Sequence, residues 1–169
     1  SSAASDVYKR QHALGDLAAR WQEDVIDLRP DVLSVFVGTN DAERHLGRLL
    51  RADDPKTVPD FDFADWERTY RGLLDQARQA NPALKIVLCT PFAAPCGKIV
   101  EGALGEYYPL RQRILAQCCV IVERIAADYG ATLVPFHRLI ADLETRLPNG
   151  DATYWVWDGI HPTPAGQRL

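Results

Sequence analysis

Hydrophobic and polar positions follow two periods along this chain. From Asp16 the apolar residues Leu17, Trp21, Val25 and Leu28 recur at steps of three and four, the spacing of one helical face, with Asp16 as N-cap and Pro30 as the stop. The period then changes. Val32 to Val37 is a continuous apolar run rich in β-branched residues, which predicts a strand buried on both faces, ended by Gly38. His45 to Pro59 has no clear period, carries two prolines and several charges, and is expected to be a loop. Phe63, Trp66, Tyr70, Leu73, Leu74 and Ala77 mark a second amphipathic helix, stopped by Asn81 and Pro82, before the strand "LKIVLCT". A loop over 91–107 leads to a long helix from Tyr108 to Tyr129, closed by Gly130, and "ATLVPF" is a third strand. His137 to Leu147 reads as helical and "PNGDATYWVWDGIHP" as irregular. Thr163 and Pro164 have the chemistry of an N-cap and first turn, opening a helix whose remainder is expected beyond Leu169.

Helix and strand alternate three times, the signature of an α/β fold with a doubly wound parallel sheet in three layers. At 169 residues one domain is expected. The leader "SSAASDVYKRQ", residues 1–11, matches no element, has no long apolar core of a secretory signal and looks non-native, so the domain is assigned to 12–169 and its natural start is expected upstream. The net charge of −4 comes from acidic and basic residues mixed along the whole length. That leaves no basic stripe for nucleic acid. The longest apolar runs fall far short of the ~20 residues that span a bilayer. Cys89, Cys96, Cys118 and Cys119 form neither a CxxC pair nor a disulfide framework and read as core thiols.

In a parallel sheet, ligands sit beyond the carboxyl ends of the strands. Those ends are Gly38 to Asp41 and Thr90 to Ala94, and Pro148 to Gly159 can reach ~40 Å, far enough to return to them. Asp158 and His161 stand three apart, so the carboxylate can hold the imidazole in one tautomer and make it a general base. Asn40 presents a neutral amide donor able to face an oxyanion, or else caps a turn together with Asp41. His45 is expected on the surface or at a pocket rim, and His137 is expected to be structural. Cys96 has no evident cation beside it to lower its pKa.

The stretches "DLAARWQEDVIDLRPDVLSVFVGTND", "KIVLCTPF" and "VWDGIHPTPAGQRL" resemble, in order and spacing, the SGNH or GDSL-type hydrolases, especially the subgroup containing acetylxylan esterases. The resemblance runs from about Asp16 to the end. It implies a flavodoxin-like fold and hydrolysis of short acyl esters, including carbohydrate O-acetyl groups, with no metal or cofactor. It casts His161 as general base, Asp158 as its orienting acid and Asn40 as oxyanion donor. Gly38 permits the turn, Trp157 lines the acyl pocket, and Asp41 holds the loop. The family's Gly-Asp-Ser block and the glycine of its second block are absent. Ser1, Ser2 and Ser5 lie in the leader, and Ser34 sits mid-strand, its hydroxyl expected to point into the packing. The nucleophile is therefore expected upstream of residue 1 and the fragment is expected to be inactive. By the same resemblance two further strands would lie beside Val32–Val37, leaving an unpaired edge that favours self-association. Two other classes compete: a non-catalytic ester- or carbohydrate-binding remnant, and a metal-dependent phosphoesterase using Asn40, Asp41, Asp158 and His161, which lacks the H-x-H and D-x-H pairs that two-metal sites use.

Overall fold

The computed structural model describes residues 12–146 and 151–168; the leader 1–11, the end of the expected helix and the start of the irregular stretch at 147–150, and Leu169 lie outside the described residues. Three parallel strands, β1 (Val32–Phe36), β2 (Lys85–Cys89) and β3 (Thr132–Val134), pair in the order β1-β2-β3. Leu33 stands opposite Ile86, Val35 opposite Leu88, and Leu88 opposite Leu133. The α/β class with a parallel sheet is the one expected. Strand side chains alternate between faces, and Leu33, Val35, Ile86 and Leu88 join one buried core with Trp66, Tyr70, Leu73 and Leu74 of α3 (Phe63–Ala80) and Ile114, Leu115, Cys118, Ile121, Val122 and Ile125 of α5 (Tyr108–Tyr129). Burying each such aliphatic side chain contributes about 1.5–3 kcal/mol, so this face carries most of the folding drive.

Chain punctuation explains where these elements begin and end. The Asp62 carboxylate accepts the Asp65 N–H at 2.9 Å and opens α3. Pro109 lies in the first turn of α5, where a missing N–H costs nothing. Gly130, at φ 61°, closes α5, and the Ala131 N–H donates back to the Ala126 carbonyl at 2.8 Å.

Several expectations change. α1 is Leu14–Trp21, and its N-cap is Ala13; Asp16 lies inside the first turn, where its carboxylate accepts the Ala13 N–H at 2.9 Å. The helix widens into a π-turn at Gln22–Ile26, and Arg29 adopts φ 46°. These shift the phase, so Leu28 is exposed rather than on the core stripe. β1 is buried on one face only: Val32 and Phe36 are 56% and 51% exposed. Ser34 shares that outer face, 3.9 Å from the Cys89 thiol, and does not point into packing. Continuous apolar composition could not separate one covered face from two.

The expected loop at His45–Pro59 is largely helical. α2 spans Thr39–Arg51 and buries Asp41, Ala42, His45, Leu46 and Leu49. That stripe has clear helical spacing, but it starts at Asp41, within the block read as a turn after β1, so the stretch from His45 holds only its second part, His45, Leu46 and Leu49. His45 is accordingly 4% exposed, packed edge-on against Phe61. The 91–107 loop also contains structure, a 3-10 turn at Gly97–Val100 and the short α4 (Gly102–Glu106). After β3, α6 (Phe136–Arg146) takes the place expected for a helix from His137, and the Thr163 hydroxyl accepts the Gly166 N–H at 3.1 Å as an N-cap would. All four cysteines are free and buried. No helix among the described residues is long and apolar enough to cross a membrane.

Candidate active site

The loop after α6 builds its own tip. Val156 and Pro162 form an antiparallel bridge, the Trp157 N–H donates to the His161 carbonyl at 3.1 Å, and Gly159 turns the chain at φ 90°. Within that turn Asp158 uses both carboxylate oxygens. Oδ1 accepts the backbone N–H groups of Ile160 and His161 at 3.0 and 2.8 Å, and Oδ2 lies 2.7 Å from Nδ1 of the His161 ring. Burial raises the Asp158 carboxyl, but the hydrogen bonds from the His161 backbone, its ring and Ile160 outweigh it and hold the group below the usual carboxylate range. An ionised carboxylate accepts only, so Nδ1 carries the proton and Nε2 is left as a base. The Trp157 ring stacks on the imidazole at 5.9 Å and 24°. The ring and the indole both remain solvent-exposed.

Three contacts dock this tip on the segment that follows β2. The Ala94 N–H donates to the Gly159 carbonyl at 2.8 Å, and the Cys96 thiol to the Val156 carbonyl at 2.9 Å. Gly97, at φ 64°, approaches so closely that a Cβ there would lie 2.6 Å from the Asp158 Cα. Burial pushes the Cys96 thiol up, so its work here is docking.

Asn40 occupies the second position of α2. Its Nδ2 donates to the His12 carbonyl at 3.1 Å, and the neighbouring Thr39 hydroxyl donates to the Phe92 carbonyl at 3.1 Å. Gly38 makes this possible: it has φ 127°, and a Cβ would sit 2.8 Å from Pro91 Cγ. Asp41 accepts the Leu14 N–H at 3.0 Å. Burial pushes its carboxyl above the usual range against the pull of that bond and the Trp66 indole.

Asp158, His161 and Trp157 are therefore in mutual contact, while the Asn40 amide is bonded to the His12 carbonyl and not to any of them. The two groups are joined through one short segment: Phe92 is tied to the α2 start and Ala94 to the Asp158 turn. Two residues span at most about 7 Å. His137 stands apart, its Nδ1 2.8 Å from the buried Thr90 hydroxyl, in the structural role expected. Thr39, Gly97 and Gly159 were missed; the two positive-φ glycines flanking the docking contact were the only sequence signal available. Among the described residues no three His, Cys, Asp or Glu side chains gather as a metal-binding cluster.

Comparison with known proteins identifies the family. An acetylxylan esterase of Geobacillus stearothermophilus is 32% identical over 157 residues, covering 91% of this chain and 62% of the relative. The solved structure of Axe2, an acetylxylan esterase from the same organism, is 28% identical, with a TM-score of 0.67 over 93% of this chain and 63% of that one. Solved catalytic mutants of Axe2 replace a serine, an aspartate, or a histidine three positions after that aspartate, and a further mutant replaces the tryptophan just before it. A GDSL-like lipase from Bacteroides thetaiotaomicron shares the fold at 18% identity, with a TM-score of 0.65 over 93% of this chain and 66% of that one. The chain thus spans about three fifths of the esterases it matches. The model of the GDSL-like lipase/acylhydrolase family matches residues 3–169, and the chain belongs to that family.

Proposed function

We propose that this chain supplies the general base, the orienting acid and the oxyanion amide of a serine carboxylic ester hydrolase that removes short acyl groups, with carbohydrate O-acetyl esters as the substrate class. The observation that carries this is the 2.7 Å contact from His161 Nδ1 to an Asp158 carboxylate pinned by two backbone N–H groups. It leaves Nε2 free to take a hydroxyl proton. Support comes from spacing: Trp157, Asp158 and His161 repeat the separations of the tryptophan, aspartate and histidine altered in the Axe2 mutants.

In the reaction a serine hydroxyl attacks the ester carbonyl as His161 removes its proton. Negative charge develops on the carbonyl oxygen, and the Asn40 amide stabilises it. One of the two Nδ2 hydrogens is engaged by the His12 carbonyl, which orients the amide and leaves the other for the oxyanion. Collapse expels the alcohol with the proton returned by His161; water then repeats the cycle on the acyl-serine. Trp157, against the imidazole, flanks the acyl group.

The nucleophile is proposed to come from sequence outside these 169 residues. Ser34, the one serine among the described residues, lies mid-strand on the outer face of β1, four positions before Gly38. Treating the chain with a fluorophosphonate should label no serine, and labelling of Ser34 would contradict the proposal. Asn40→Ala, in a protein that combines this chain with the serine, should lower kcat by ~10² to 10³; unchanged turnover removes Asn40 from the mechanism. A second reading, a non-catalytic module binding the same esters, is favoured by the 58% exposure of Trp157. Binding of acetylated xylo-oligosaccharide by a serine-complete protein that shows no turnover would select it.

A further inference from the structure

We infer that the ion pair between the buried Arg111 and the half-buried Glu43 is a brace that fixes the Asn40 amide relative to the Asp158–His161 turn, making Arg111 a positioning residue for the site. The inference rests on the reading of those three residues as one site. Arg111 on α5 is 0% exposed. Its Nε and Nη2 donate to the two oxygens of Glu43 at 2.5 and 3.1 Å, and its Nη1 donates to the Ile99 carbonyl at 3.0 Å. Each partner belongs to one half of the site. Glu43 lies on α2 three residues after Asn40, so holding its carboxylate fixes the helix turn that presents the amide. Ile99 lies in the Gly97–Val100 turn, whose Gly97 backbone touches Asp158 and whose Ile99 side chain fills the space where Gly159 has no Cβ.

The guanidinium suits this task because its planar fork grips a carboxylate with two N–H groups while a third N–H reaches elsewhere. A lysine ammonium, a point donor on a flexible stem, cannot hold both partners in one geometry. A pair that served stability alone could be exchanged for packed apolar residues with little effect, since desolvation offsets much of the attraction between buried charges. A brace could not be exchanged without loosening what it joins.

The test uses amide hydrogen exchange on the 169-residue chain, comparing the wild type with Glu43→Leu/Arg111→Leu, which leaves neither charge unpaired. Expected are at least tenfold faster exchange at Ala94, which docks the turn, and at Leu14 and Ala42, which hold the start of α2, with unchanged exchange in β2 and a Tm within a few degrees of the wild type. Unchanged exchange at those three amides would overturn the inference. So would parallel acceleration at every amide with a fallen Tm, or failure to fold, because the pair would then be structural only. Arg111→Lys should also quicken exchange at the three amides, and full protection by lysine would show that the fork is not the brace. Exchange is read without any ester, so loss of the esterase reading through the fluorophosphonate experiment leaves this result separate.

Discussion

The two halves of the site are built by opposite means. Asp158 and His161 meet across three residues in one turn, and the bonds that the Asp158 carboxylate accepts all come from within Asp158–His161. Asn40 depends on distant partners: its amide on His12, its neighbour Thr39 on Phe92, and its helix on Arg111. A local device survives small shifts of the fold, whereas a long-range one fails with them. The imidazole pair should therefore tolerate damage elsewhere that displaces the amide.

The largest expected effect falls on the long-range half. Gly38→Ala forces a side chain into φ 127° and against Pro91, which should cost about 2–4 kcal/mol in urea unfolding. A loss under about 1 kcal/mol would mean that the start of α2 can relax and is not locked by Pro91. Next comes the joint between halves. Gly97→Ala, with its Cβ against the Asp158 backbone, should cost about 1–3 kcal/mol and release the Ala94 amide to exchange, while the 2.7 Å His161–Asp158 contact persists. Loss of that contact in the variant would show that the turn is not self-contained.

Legibility in the sequence follows the same division. Asp158 and His161 could be read because their partnership is short-range, and α3, β2 and α5 because each buries one periodic stripe between clear caps. α2 was hidden. Its stripe begins at Asp41, inside the motif that reads as a turn, and Glu43, Arg44, His45 and Arg48 look like a solvated loop until the fold buries His45 and pairs Glu43 with Arg111. No spacing rule links Glu43 to a residue 68 positions away. The uncovered outer face of β1 was equally illegible, since a strand's composition does not say how many neighbours it meets.

Smaller effects are set by pH. Asp158 is held below its unfolded value, so its contribution is present above about pH 4 and lost as pH falls through the lower folded value. Asp158→Asn should cost about 1 kcal/mol at pH 7 and progressively less as pH falls below about 4; a cost that does not change with pH would remove the charge from the bond. In α2 the sign is the same, because a lowered pKa means that the unfolded chain binds more protons whether the group is an acid or a base. Burial, with Arg48 adding and Asp60 opposing, holds the His45 imidazole below its ordinary value. The unfolded chain then binds more protons below about pH 6.5, so stability should decline from pH 7 toward pH 5. His45→Gln should flatten that decline in Tm, and an unaltered slope would assign it to other groups.

The most direct measurement is the rate of fluorophosphonate labelling in a protein that joins this chain to a serine-bearing segment, with wild type, His161→Ala and Asn40→Ala compared. The expected result is labelling at the supplied serine that slows at least ~100-fold in either variant. Equal rates in all three would show that the imidazole and the amide do not serve one hydroxyl.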